Sequence, residues 1–287
     1  MIKLKISELF YSAQGEGRFV GVPSVFLRTF GCNFQCAGFG MPKGQKTKEI
    51  EPIAAEVDRY KTVEELPLVE TGCDSYASWH PAFKHLSPTY DNAEVVEKLL
   101  ALAPGGHWRH PSGNDTHLVI TGGEPLLGWQ REYADLLDRN GMQDLQNLTF
   151  ETNGTQHLHD DFRKYLTEWT RLRGKNCLTF SVSPKLSCSG ESYEDAIRPE
   201  VVAEYDRLGF TYLKFVVEKV EDFTEVEFAI NAYRSQGFTG VVYVMPVGGV
   251  VSVYNGNRIN VAEEALRRGY RYSPRLHVDI WGNAWSK

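Results

Sequence analysis

Short β-rich runs alternate with amphipathic helical stripes along most of the chain, and this alternation limits the fold more than any other feature. The runs lie at 22–29, 117–121, 148–151, 178–182, 212–217, 241–245 and 276–280. Between them, Val95, Val96, Leu99 and Leu100 follow a capping-box-like Asp91-Asn92-Ala93-Glu94. Tyr133, Leu136 and Leu137 form a second stripe with Gly141 as its C-cap, and Val226, Ala229, Ile230 and Tyr233 a third ending at Gly237. Val261, Ala265 and Leu266 form a fourth, ending at Gly269. Strands alternating with helices imply a parallel sheet covered by helices, and near-continuous apolar runs suit strands buried on both faces. The expected fold is therefore α/β, a full or partial (β/α) barrel, with an open doubly wound sheet as the second choice. In either, chemistry collects at the carboxyl ends of the strands.

Four successive strands are followed by polar, Gly- or Pro-containing segments. They are Gly31-Cys32-Asn33-Phe34-Gln35-Cys36, Gly122-Gly123-Glu124-Pro125, Thr152-Asn153-Gly154-Thr155 and Ser183-Pro184-Lys185. One such segment is an ordinary turn; four on one rim make a site. With 287 residues, 42% of them hydrophobic, the chain is expected to form a single domain over 1–287. Two stretches read as surface insertions: 37–72, rich in Lys, Glu and Pro, and the turn-rich 104–115, best read as a solvated connection. A net charge of −6 with mixed signs argues against a nucleic-acid-binding face. The N-terminal alternation lacks the apolar core of a signal peptide, and no apolar run approaches the ~20 residues that span a bilayer. A cytoplasmic protein without a membrane partner is expected.

Five cysteines make a poor disulfide framework, and clustered thiols in a reducing compartment more often bind metal. Cys32 and Cys36 flank three residues just after a strand, and Cys73 arrives far later in Gly72-Cys73-Asp74-Ser75-Tyr76. Structural zinc usually takes four ligands in paired short spacings, which this pattern does not supply. Three thiolates on an iron–sulfur cubane instead leave one iron open for another ligand. Cys188 is the alternative third ligand, and Cys177 reads as plain core.

The cysteine loop together with Gly122-Gly123-Glu124-Pro125 resembles the radical S-adenosylmethionine superfamily. That family usually has Cys-x-x-x-Cys-x-x-Cys, whereas here Ala37, Gly38 and Phe39 follow Cys36. The segment from Cys73 to Trp79 is similar to what normally follows the loop, so the 37–72 insertion separates the second and third cysteines. The resemblance implies a partial (β/α) barrel in which Cys32, Cys36 and Cys73 hold a [4Fe–4S] cluster. S-adenosylmethionine would be contacted by Gly123, Ser183, Pro184 and Lys185. For Lys185 alone a solvated role is the competing reading.

The string Glu8-Leu9-Phe10-Tyr11-Ser12-Ala13-Gln14-Gly15-Glu16-Gly17, with Pro23, Phe26 and Arg28, is similar to the start of 7-carboxy-7-deazaguanine synthases. Further matches begin at Thr121, Glu151, Val182, Leu213 and Leu276, so the resemblance runs end to end apart from the insertions. It implies conversion of 6-carboxy-5,6,7,8-tetrahydropterin to 7-carboxy-7-deazaguanine with loss of ammonia, for queuosine-type deazapurine biosynthesis. Ala13, Gln14, Gly15, Glu16, Arg28, Thr121 and Glu151 would bind the pterin, and Ser75, where the family usually has Thr, would hold Mg²⁺. Carboxylates suit the donors of a pterin's amidine edge, and the Arg28 fork suits its carboxylate. Arg28 lies in an apolar strand, where an unpaired charge is costly. Glu151 could equally cap a turn; His277 reads as a core histidine rather than a substrate contact; and Met245-Pro246-Val247-Gly248 would add a wall. An electron donor such as flavodoxin or ferredoxin is implied, and members are often homodimers. Two other readings stand beside this one: a glycyl-radical activating enzyme and a non-catalytic metal-binding module.

Overall fold

The central strands consist almost wholly of residues that avoid water. His117–Gly122 (HLVITG) and Leu178–Val182 (LTFSV) have every position buried, so both faces must be covered. The computed structural model describes residues 3–287 and shows that cover. The strands are β1 (Lys3–Ala13), β2 (Pro23–Thr29), β3 (Thr89–Asp91), β4 (His117–Gly122), β5 (Leu148–Thr152), β6 (Leu178–Val182), β7 (Phe210–Val217), β8 (Val242–Pro246) and β9 (Arg271–Tyr272). The helices are α1 (Ile50–Ala55), α2 (Asn92–Leu102), α3 (Gln130–Leu137), α4 (Asp160–Arg173), α5 (Tyr193–Ala196), α6 (Pro199–Leu208), α7 (Asp222–Ser235), α8 (Val251–Arg267) and α9 (Leu276–Trp281).

All nine strands form one sheet in the order β3-β1-β2-β4-β5-β6-β7-β8-β9. From β2 to β9 every neighbouring pair is parallel, and β1 runs antiparallel to both β2 and β3. The sheet stays open between β3 and β9, so the barrel is partial. Helices follow the parallel strands and close the core: Phe150 stacks on Phe180 at 5.8 Å, and Phe180 on Tyr205 of α6 at 4.5 Å. Each such fully buried side chain contributes roughly 1.5–3 kcal/mol. Asp91 caps α2 by accepting from the Glu94 N–H at 3.0 Å, as its sequence predicts. Among the described residues, no helix is long and apolar enough to cross a membrane.

The structure departs from the sequence reading at several places. Residues 276–280 form a helix, α9, rather than a strand. Only Val278 is buried, and Gly282 ends the helix in a left-handed conformation. The apolar alternation of Leu276, Val278 and Ile280 thus reports no buried sheet face. Gly141 does not cap α3, which ends at Leu137 with Asp138 as its C-cap. Leu266 points outward from α8 and is 68% exposed. The long antiparallel β1 is absent from the expected strands, although Leu4 and Ile6 alternate with Lys3 and Lys5 as a strand with one covered face requires.

The 37–72 segment is more than a solvated excursion. Ile50, Val63, Leu66 and Val69 join Tyr76, Phe83 and Leu86 in a second apolar cluster, against which Trp285 packs. Its two ends are zipped: Gly72 N–H donates to Phe39 O at 2.7 Å, and the Thr47 and Thr71 hydroxyls hydrogen-bond at 2.6 Å. The detour therefore returns the chain to Phe39 and sets Cys73 beside Cys32 and Cys36. Lengthening the loop this far costs only about 2 kcal/mol in closure entropy, which the satellite cluster offsets. The 104–115 loop is pinned by buried Trp108, whose Nε1 donates to Gly141 O at 2.8 Å.

Candidate active site

The carboxyl ends of the parallel strands open into one cleft enclosing ≈ 1590 Å³ of empty space, its mouth included. Its walls take in Cys32, Cys36 and Cys73 together with Ala13, Gln14, Gly15, Glu16, Arg28, Ser75, Thr121, Gly123, Glu151, Ser183 and Lys185. Pro184 is the exception: it is buried behind the rim and does not line the cleft. A proline between two residues that face a cavity turns its ring the other way. It shapes the turn without touching what the turn contacts.

The rim loops brace one another. Asn153 Nδ2 donates to Asn33 Oδ1 at 2.9 Å, and Asn33 Nδ2 to Thr155 Oγ1 at 3.1 Å, tying the cysteine loop to the end of β5. Glu124 accepts from Asn153 N–H at 2.6 Å, Thr152 Oγ1 at 2.8 Å and Leu126 N–H at 3.0 Å. Burial still pushes its carboxyl up to about 7. Glu124 is a bracket beneath the cleft rather than part of its wall. Gly123 leaves no room for a side chain, since a Cβ there would lie 2.6 Å from Cys32 Cβ and 2.5 Å from Gly31 O.

Cys36 packs with Phe34 and Ala196, and Cys32, Cys73 and Phe39 lie against them. Burial pushes the Cys32 thiol up to about 12 and raises Cys36 and Cys73 as well. Cys73 adds to the rise at Cys32, and both add to that at Cys36, while Lys185 opposes it at all three. Three neighbouring thiols that resist ionising alone suit a multi-iron centre, whose irons stabilise thiolates that a bare apolar pocket does not. Among the described residues, no three His, Cys, Asp or Glu side chains crowd round one point as a single ion requires. In a cubane each thiolate holds a different iron, so wider spacing is in order. Cys188 does not line the cleft: its Sγ turns to Val216 O at 3.6 Å and feels Asp222, Glu225 and Glu218. Cys177 packs at the edge of the main core.

A buried charge network occupies the same cleft. Glu16 Oε2 lies 2.5 Å from Lys214 Nζ, and Glu16 Oε1 lies 3.2 Å from Arg275 Nε. Arg275 Nη2 reaches Asp74 Oδ2 at 2.5 Å, and its Nη1 donates to Gly248 O. Burial alone would raise the Glu16 carboxyl, but Lys214 and Arg275 hold it well below the usual range. Burial likewise works against the Lys214 ammonium, yet Glu16 and Glu151 keep it charged. Glu151 accepts from Gln14 Nε2 at 3.1 Å, which orients its carboxylate. Arg28 Nε lies 2.7 Å from Glu8 Oε2, its cross-strand partner on β1. Arg28 Nη1 donates to Gly122 O and Ser75 Oγ at 3.2 and 3.3 Å, leaving Nη2 without a protein partner among the described residues.

Lys214, Arg275, Asp74 and Glu8 were missed as site residues. The signal for Lys214 was the same as for Arg28, a cation inside the apolar strand FTYLKFVV. For Arg275 and Asp74 no local pattern existed; each matters through a partner some two hundred residues away. His277, read from sequence as core, lines the cleft instead, and a Cβ on Gly15 would lie only 2.1 Å from its Nδ1. Met245, Pro246, Val247 and Gly248 form a wall as expected.

Burial, helped by Arg275, lowers the His277 pKa to about 4 from an ordinary 6.5. The folded state thus prefers the neutral ring. Stability from this group is fully present above pH 6.5 and falls as pH drops towards 4. His277→Asn is expected to remove roughly 2 kcal/mol of the stability loss between pH 7.5 and 5, measured by urea unfolding. Buried His117, lowered to about 3, accounts for a similar remainder. An unchanged pH slope in the variant would show that His277 stays neutral for another reason.

No family model matches the chain. It is 32% identical to a 7-carboxy-7-deazaguanine synthase from Halobacterium salinarum, over 98% of this chain and 91% of that protein. It is 28% identical to one from Pyrobaculum aerophilum, over 99% of this chain and 98% of that protein. Among solved structures, the crystal structure of QueE from Escherichia coli superposes with a TM-score of 0.54 at 20% identity, covering 96% of both chains. That likeness speaks for the fold.

Proposed function

The chain belongs to the 7-carboxy-7-deazaguanine synthase family, and on that footing we propose that it converts 6-carboxy-5,6,7,8-tetrahydropterin to 7-carboxy-7-deazaguanine and ammonia. The observation that carries this reading is the single cleft that joins three buried thiols to a cation-bound carboxylate, Glu16. Cys32, Cys36 and Cys73 would hold a [4Fe–4S] cluster, which when bound would supply the electron for reductive cleavage of S-adenosylmethionine.

The chain's own residues bind, orient and shield. Gly123 lets the backbone come close to a bound amino-acid group, and Lys185, bonded to Ser183 Oγ at 3.1 Å, offers a cation to its carboxylate. Glu16, kept ionised by Lys214 and Arg275, and Glu151, oriented by Gln14, accept from the N–H groups of the pterin's amidine edge. Arg28 is only partly spent on Glu8, and its remaining N–H groups suit the pterin carboxylate. His277 and Gly15 pack edge to backbone and set the width of this end. Ser75 Oγ lies 3.2 Å from Asp74 Oδ1, an oxygen pair that suits Mg²⁺. A cation there requires Arg28 Nη1 to release Ser75, which ties metal binding to the seating of the substrate carboxylate. An external electron donor and a homodimer complete this reading. The end-to-end likeness to the synthases displaces the glycyl-radical and metal-module readings, neither of which accounts for Glu16 and its two cations.

Anaerobic protein given the pterin, S-adenosylmethionine, Mg²⁺ and reductant should form the deazapurine, identified by mass, without net consumption of S-adenosylmethionine. Stoichiometric cofactor loss with no deazapurine would sink the substrate assignment. Glu16→Gln and Glu151→Gln should each weaken pterin binding about 10- to 100-fold, the worth of one charged hydrogen bond. Calorimetric titration with the pterin checks this, and parent-like affinity in both variants would move the amidine edge elsewhere.

A further inference from the structure

Cys36 has a left-handed backbone, φ 51°, a region that residues with side chains seldom adopt and that needs support from outside. That support comes from the loop between β6 and α5. Glu191 Oε1 accepts both the Gln35 N–H at 2.9 Å and the Cys36 N–H at 2.7 Å. Two residues further on, Gly38 N–H donates to Ser189 O at 2.8 Å, and a Cβ on Gly38 would lie 2.5 Å from Gly190 N. The loop is itself stiff: Glu191 N–H donates to Ser189 Oγ at 3.2 Å, and Ser189 Oγ donates to Leu186 O at 2.6 Å. Residues 189–191 thus grip 35–38 just where the chain departs into its long insertion.

In an uninterrupted loop the third cysteine, three residues after the second, would fix this stretch to the metal centre. Phe39 stands at that position here. We propose that Glu191 takes over the missing constraint: it positions Cys36 as an iron ligand and, by its charge and its hold on two amides, keeps the cluster's reduction potential low. The inference rests on the reading that Cys32, Cys36 and Cys73 hold a cluster. Amides that donate to cluster sulfur, and lower net negative charge, both raise such a potential. Phe34 N–H already donates to Cys32 Sγ at 3.4 Å, whereas the next two amides are taken by the carboxylate. Glu191 is a positioning residue, acting through Cys36.

The test compares parent, Glu191→Gln and Glu191→Ala after identical anaerobic reconstitution. Iron and sulfide content, the rate of iron loss to a chelator and the cluster midpoint potential are measured on each. Glu191→Ala should lose iron roughly 10-fold faster, the lower end for a residue that orients a metal ligand. Glu191→Gln, whose amide oxygen still accepts, should retain iron nearly as the parent does, and both variants should titrate at a more positive potential. Parent-like iron retention and midpoint in Glu191→Ala would overturn the role of Glu191 while leaving the cluster intact. A parent protein that takes up neither iron nor sulfide would overturn the cluster reading and this inference with it. If Glu191→Ala does not fold, an unchanged midpoint in Glu191→Gln overturns the tuning role on its own.

Discussion

Cys73→Ala will leave the protein unable to retain a [4Fe–4S] cluster and without turnover, whereas Cys188→Ala will match the parent in both. By sequence Cys73 is the assigned ligand and Cys188 the alternative, each in a Gly- and Ser-containing turn. The structure separates them. The Phe39–Gly72 hydrogen bond brings Cys73 into the pocket of Cys32, Cys36 and Phe34, while Cys188 turns to Val216 O and a patch of three carboxylates. Removing one of three thiolates leaves an iron without a protein ligand, and no other thiol is in the cleft to replace it. Iron and sulfide analysis after reconstitution decides the matter; a Cys73→Ala protein carrying a full cluster would show that a different third ligand is in use.

Arg275→Ala will be the most damaging change outside the cysteines. Arg275 is 7% exposed, and its guanidinium contacts Glu16, Asp74 and Gly248, joining the loop after β1, the end of the insertion and the loop after β8. Its removal leaves Glu16 with Lys214 alone and strands Asp74. Breaking a buried pair in this way costs about 3–5 kcal/mol. Most of that belongs to Glu16, because Asp74 is a third exposed and better screened. For a chain of this size the melting temperature should fall by roughly 10 °C. Pterin affinity should fall as well, since Glu16 loses its second fixing point. Glu16→Gln in the same background should cost less than the sum of the single changes, because the two side chains share one interaction. A melting temperature within a degree or two of the parent would show that the network is not what stiffens the rim.

Much of this was legible in the sequence. The parallel strands β2, β4, β5, β6, β7 and β8 announced themselves because strands covered on both faces need unbroken apolar runs. Their following loops carry the cleft residues, so placing the strands placed most of the site. Arg28 was readable as a cation in an apolar strand, and Lys214 carries the same signal. What stayed hidden depends on distant partners. Nothing local distinguishes Arg275 from a surface arginine until Glu16 and Asp74 are brought beside it. The 276–280 run alternates like a strand, yet it lies beside α8, where Arg258 Nη1 donates to Asp279 Oδ1 at 2.8 Å, and hydrogen bonds from Val278 and Asp279 N–H to Arg275 O make it a helical turn. Pro184 shared a motif with its neighbours but not their direction. The insertion read as surface because its apolar residues are spread thinly and meet only after folding against Tyr76, Phe83 and Trp285.

The claim on which the chemistry depends is that three thiols carry a four-iron cluster with one corner left for S-adenosylmethionine. Electron paramagnetic resonance of the dithionite-reduced, reconstituted protein tests it directly, recorded with and without S-adenosylmethionine. Three-thiolate ligation predicts a reduced [4Fe–4S] signal whose shape changes when S-adenosylmethionine is added. A signal identical in both spectra, or protein holding zinc and no iron, would contradict it.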